Sequence, residues 1–128
     1  MAGTAPDFFG DFGRAYSILN LSLAIQSRAA LEMTGIRKGD DIYIEGGFRK
    51  NDVYTILLAS MFPESSVKLS DMEEATAFGA ALIAKSALEG KNPMELGGSF
   101  TIEQRAVAKH DLHGLDEYIK KFMRYVAE

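Results

Sequence analysis

Cysteine is absent from all 128 residues. The chain therefore has no disulfide framework and no thiolate metal site, which fits a cytoplasmic location. Clustered basic charge is missing as well: the net charge is −4 and no long run of Lys and Arg interrupts it. Neither nucleic acid nor an anionic membrane surface is an expected partner, because the electrostatic footprint for either is missing. The apolar runs are too short and too often broken to span a bilayer, and the first residues lack the basic-then-apolar order of a targeting signal. Two nucleotide-binding signatures, G-x-G-x-x-G and G-x-x-x-x-G-K-[ST], do not occur, which disfavours the dinucleotide and phosphate-loop classes.

The apolar share of 47% and the charged share of 25% are those of an ordinary globular domain. A chain of this length supports one hydrophobic core. Residues 1–13 show no sustained period and read as an irregular leading segment pinned by Phe8, Phe9 and Phe12; residues 14–128 read as the domain proper. Residues 15–33 carry a helical pattern with Ile18, Leu19, Leu21, Ile25, Ala29 and Leu31 on one broad side, and Thr34-Gly35 closes it with a glycine cap. Ile42, Tyr43 and Ile44 then read as a short buried strand bounded by turn residues.

After Gly46-Gly47 a helix over residues 53–60, capped by Asn51 or Asp52, ends before Pro63. A second strand is expected over residues 67–69. Ser70-Asp71-Met72-Glu73 has the spacing of a capping box for a helix over residues 72–88, whose many alanines let other backbones approach and mark it as the central packing element. Gly90 ends that helix and Pro93 is expected to prevent a restart. Residues 100–108 read as an edge strand, and residues 115–126 as an amphipathic helix with Leu115, Ile119, Phe122, Met123 and Val126 on one face. Strands alternating with helices imply a mainly parallel sheet. Three strands are few for such a sheet, so further strands are expected outside this chain, with the open edge shielded by self-association, a homo-oligomer being one form, or by another partner.

Chemistry centres on the strand-to-helix turn. Glycines there let a ligand approach the backbone, and the helix start that follows offers N–H donors to phosphate. Arg49 and Lys50 add positive charge beside it, with solvated side chains as their plainer reading. His110 and His113 lack the ligand count of a metal site, Glu73 and Glu74 are explained by helix capping and the helix dipole, and the methionines and phenylalanines by core packing. "DFFGDFG" over residues 7–13 looks like the D-F-G of protein kinases, but no histidine-arginine-aspartate loop precedes it.

A strand running into "GG", a short loop and an amphipathic helix, followed by a second strand and "EATAFGAALIAK", resembles the carboxy-terminal domain of the FGGY carbohydrate kinases of the actin-like ATPase superfamily. The resemblance covers residues 15–90 and implies an α/β fold, a partial ribonuclease H-like domain with a short, mainly parallel sheet flanked by helices. It further implies ATP and Mg²⁺ as ligands of the intact enzyme, Gly46 and Gly47 facing nucleotide phosphates and ribose, Asn51 beside the adenine, and Gly79 in the alanine-rich helix close to the nucleotide. Phe48 departs from the family pattern, where glycine or alanine is usual. The sugar substrate, the general-base aspartate and an amino-terminal kinase domain are expected outside this chain, so sugar kinase activity is not expected of this polypeptide alone. Two alternatives are a non-catalytic α/β interaction module, and an actin-like ATPase with no sugar substrate.

Overall fold

The structure, a computed structural model, describes residues 6–72, 74–98 and 101–126. A short 3-10 turn, Asp7–Gly10, precedes helix α1, Phe12–Met33. The helix begins earlier than its apolar period suggests because Asp11 caps it, its carboxylate accepting from the Arg14 amide at 3.0 Å. The aspartate of the D-F-G look-alike is thus a helix cap. Phe12 is 84% exposed and Phe9 64%, so these two rings do not pin the leading segment to the core. Leu19 is also exposed, and the buried line of α1 runs instead through Asn20, Ala24 and Ile25.

Strand β1, Ile42–Ile44, buries both isoleucines and turns Tyr43 outward, the alternation of a half-buried strand. Helix α2, Asp52–Ser60, follows a 3-10 turn over Gly46–Lys50, and leads to strand β2, Val67–Ser70. β1 and β2 pair in parallel with Ile42 opposite Val67 and Ile44 opposite Leu69. Strand β3, Gln104–Ala106, joins the other edge of β2 antiparallel, so the sheet is mixed, in the order β1-β2-β3. The parallel pair expected from the sequence is there; the third strand returns in the opposite sense. Phe100, the expected start of this strand, and Glu73, one end of the expected capping box, lie outside the described residues.

Ala24 and Ile25 from α1, Tyr54, Leu58 and Ala59 from α2, Met61, and the inward residues of β1 and β2 form the core. Full burial of a side chain such as Ile25 contributes roughly 1.5–3 kcal/mol. Helix α5, Leu115–Val126, leans on this core through Leu115, Ile119 and Phe122, whereas Met123 and Val126 of its expected face remain exposed. Lys109 holds the approach to α5 in place by donating to the carbonyls of Pro63, at 2.9 Å, and Ser65.

Helix α3, Ala75–Glu89, departs most from expectation, since no residue of it is buried. Its main neighbour is the short helix α4, Pro93–Gly97. A central position for α3 would require a layer to cover it, and the described residues supply none. Ser70 does not cap this helix: its hydroxyl accepts from the Met72 amide at 3.1 Å in a local turn, and the helix start falls at Glu74. Pro93 opens α4 instead of blocking it, because proline at the first helical position lacks only an N–H that would be unpaired anyway; Asn92 caps that helix from the preceding position.

Candidate functional site

β1 and β2 are parallel neighbours, so the turns that leave their carboxyl ends emerge side by side. This is the end of an open α/β sheet at which ligands characteristically bind. The turn after β1 is the 3-10 segment carrying Gly46 and Gly47; the segment after β2 reaches Glu74 and the start of α3. Together Gly46, Gly47, Arg49, Lys50 and Glu74 line a shallow depression of about 160 Å³.

The two glycines are there for different reasons. Gly46 has φ +67°, a left-handed conformation that costs an L-residue roughly 1–2 kcal/mol. Gly47 has no such constraint, and a Cβ built on either residue meets no atom within 4 Å. The space above the turn is open for a ligand to approach the backbone. Gly79, in the body of α3, also has open space where a side chain would stand, but it is not among the residues lining the depression.

Asn51 has several internal partners. Its Oδ1 accepts from the Tyr54 amide at 3.1 Å, capping α2, and from the Tyr16 hydroxyl at 3.3 Å. Its Nδ2 donates to Oδ1 of Asn20 at 2.6 Å, and Asn20, 1% exposed, donates in turn to the Tyr16 carbonyl. The oxygen's two acceptor positions are both used, leaving one N–H for anything beyond this network. Phe48, the departure from the family pattern, packs its ring against Tyr54 at a centroid separation of 4.7 Å while remaining half-exposed. It fastens the turn to α2.

Arg49 is more than a solvated cation: its Nη1 donates to the Ser70 carbonyl at 3.0 Å, clamping the turn after β1 onto the end of β2. Glu74, read from sequence as compensating the helix dipole, also stands in the depression, and no cap hydrogen bond engages its side chain. The signal that finds it is topological: whichever residues follow β2 must lie beside those that follow β1. His110 and His113 sit away from this site, in a groove with the α5 start, and no group of three or more His, Asp or Glu side chains suited to a metal ion occurs among the described residues.

The displaced ionisations also lie apart from the depression. A hydrogen bond from Lys68, at 2.7 Å, holds the Asp41 carboxyl below its ordinary range and raises the lysine in return. Asp40 is lowered mainly by the Arg37 backbone amide, and Glu89 mainly by Lys91.

Residues 10–93 match the C-terminal domain of the carbohydrate kinase FGGY family. The chain belongs to that family. The match runs from the end of the first 3-10 turn to the first residue of α4 and takes in Gly46, Gly47, Asn51 and Gly79; β3 and α5 of this FGGY domain lie beyond it. The mixed α/β fold, a small sheet flanked by helices, agrees with a partial actin-like domain. No curated protein and no solved structure matches the chain significantly. No helix among the described residues is long and apolar enough to cross a membrane.

Proposed function

We propose that this FGGY domain is the nucleotide-side wall of a cytoplasmic, ATP-dependent carbohydrate kinase that transfers the γ-phosphoryl group of ATP to a sugar hydroxyl. The observation that carries the reading is the open depression at the carboxyl ends of two adjacent parallel strands, with Gly46 and Gly47 on one side and the start of α3 on the other. Exposed backbone and the charges of Arg49 and Lys50 fit a phosphate group approaching over the glycines. Mg²⁺ fits as an ion carried in on the phosphates, since it keeps several waters and uses few protein ligands.

In this reading the sugar contacts and the general base come from an amino-terminal kinase domain, and the chemistry is positioning and charge stabilisation at the cleft between the two. Asn51 mainly shapes the wall from behind and offers its one remaining N–H to the base. Gly79 contributes by keeping α3 slim. One observation favours the interaction-module reading instead, the uncovered face of α3.

Titration with Mg-ATP, followed through backbone amide shifts, separates the two. With one wall of a cleft the affinity is expected near millimolar, about −4 kcal/mol. Gly47→Val is the informative variant, since its side chain enters open space at an unstrained backbone position and leaves the fold intact. Shifts gathered at residues 46–50 and 74–76, weakened several-fold in the variant, support the nucleotide wall. An absence of localised shifts at about 10 mM, or shifts indifferent to Gly47→Val, refutes it.

A further inference from the structure

Helix α1 buries Asn20, Ala24 and Ile25 on its core side. Along another line of the same helix Phe12, Tyr16, Leu19 and Leu23 stand four, three and four residues apart, and Gln26, Ala30 and Met33 continue the alternation to the last turn. This is a repeat of 3.5 residues, the period that keeps a seam turned toward a second helix along its whole length. Phe12 is 84% exposed, Leu19 56% and Met33 89%. Gln26 and Ala30 are exposed as well, and Leu23 alone of the stripe touches the core, from its edge. The core of this chain leaves the repeat unused.

The borders of the stripe indicate what suits it. Ala15, Ser22 and Ala29 run along one side, and Gly13, Asn20 and Ser27 along the other, all of them uncharged. The charged residues of α1 are Arg14, Arg28 and Glu32, none in the stripe or its borders, and the last two pair with each other at 2.9 Å. A charged partner finds nothing to pair with here, whereas an identical stripe meets no like charge. Side-chain sizes then set the direction. Antiparallel helices centred on position 21 place Phe12 against Ala30, Tyr16 against Gln26 and Leu19 against Leu23, so large residues at the ends meet smaller ones. Parallel helices would set Phe12 against Phe12 at one end and Ala30 against Ala30 near the other, and no single separation fills both. The seam is about 33 Å long and 10–12 Å wide, roughly 350 Å² on each partner in projection. That is the size of a reversible pair and well short of an obligate interface.

We infer that the exposed stripe of α1 is a self-association surface, through which two copies of this chain pair as antiparallel helices in a reversible dimer. The dissociation constant is expected on the order of 10–100 μM. The pairing does not depend on the nucleotide reading. Tyr16 nevertheless connects the two regions, because its hydroxyl donates to Asn51, behind the glycine turn, at 3.3 Å.

The test is sedimentation equilibrium of the full chain from about 5 to 500 μM, on wild type, Leu19→Lys and Leu88→Lys. Both leucines are exposed, so the folds survive, as melting curves at low concentration verify. Wild type is expected to pass from monomer to dimer, Leu19→Lys to weaken the dimer at least about tenfold, and Leu88→Lys, on the uncovered face of α3, to leave it unchanged. A wild type that stays monomeric throughout, or a dimer indifferent to Leu19→Lys, overturns the proposal. Loss in Leu88→Lys with none in Leu19→Lys overturns it too, by moving the interface to α3. Direction is read by oxidative cross-linking, which is clean because the chain has no cysteine of its own. A mixture of the Phe12→Cys and Ala30→Cys proteins is expected to give a mixed disulfide dimer, and neither protein alone to cross-link. Ala30→Cys linked to itself would show a parallel pair and overturn the antiparallel arrangement.

Discussion

The stretch from α1 to β2 and the α3–α4 hairpin that follows it are both rich in apolar residues, yet they bury very different amounts. Among the described residues every buried apolar side chain except Leu96 lies between Ala24 and Leu69, whereas α3 has no buried residue and leaves Leu88 88% exposed and Ile83 61%. The first region is held by tertiary packing. The second owes its helix to alanine's intrinsic preference and to a glycine cap at Gly90, whose φ of +64° ends it cleanly. A helix rich in small apolar residues shows that a neighbour can come close; only the topology shows whether the same chain provides one.

The widest separation between the regions should appear in truncations. Ile25→Ala is expected to cost about 3 kcal/mol in chemical denaturation, and Leu88→Ala less than about 0.5. Equal losses would mean that α3 is covered in solution, and the contrast would collapse. A smaller gap is expected between two helix caps. Asn51→Ala removes the α2 cap and strips the buried Asn20 oxygen of its donor, at about 2 kcal/mol, while Asn92→Ala, which removes the α4 cap in the hairpin, costs under about 1. Similar values for both would show that the Asn20 contact adds little. For the same reason Asn51→Ala is a poor probe of ligand binding.

The smallest effect is expected from pH. Asp41 is depressed by Lys68, so its contribution is present above the ordinary carboxylate range and is lost as pH falls through the lowered folded value. Lys68 is raised, so its contribution is complete below the ordinary lysine range and is lost as pH rises through the folded value. Between these limits the pair is fully formed, tying the start of β1 to β2. Melting curves of Asp41→Asn against wild type from neutral to acid pH should show a shallower acid limb. Glu89→Gln, its counterpart in the hairpin, should move the curve less, and a larger shift there would place the hairpin within the cooperative unit.

Most local elements were legible in the sequence because their signal and its physical cause lie within a few residues. Ile42 and Ile44, the Asn51 cap, Gly35, Gly90 and α5 all belong to this class. Pairing was legible in part: the βαβ order gives the parallel β1–β2 contact, but nothing within residues 104–106 encodes the sense in which they meet β2. The early start of α1 and the role of Pro93 were misread because each depends on one capping residue beside it, Asp11 and Asn92. In the candidate site the glycine pair was visible as a motif. Glu74 and the Arg49 clamp were not, since both arise where two turns distant in sequence are set side by side by a strand pair.

The glycine pair spells one motif but holds two separate records. Gly46 answers to the backbone, whose positive φ admits glycine whether or not anything binds. Gly47 answers only to the open space above it. A descendant of this chain that lost its ligand would have to keep the first glycine and would be free to change the second. Drift at position 47 is therefore the mark by which such a lineage would reveal that its binding wall had fallen out of use.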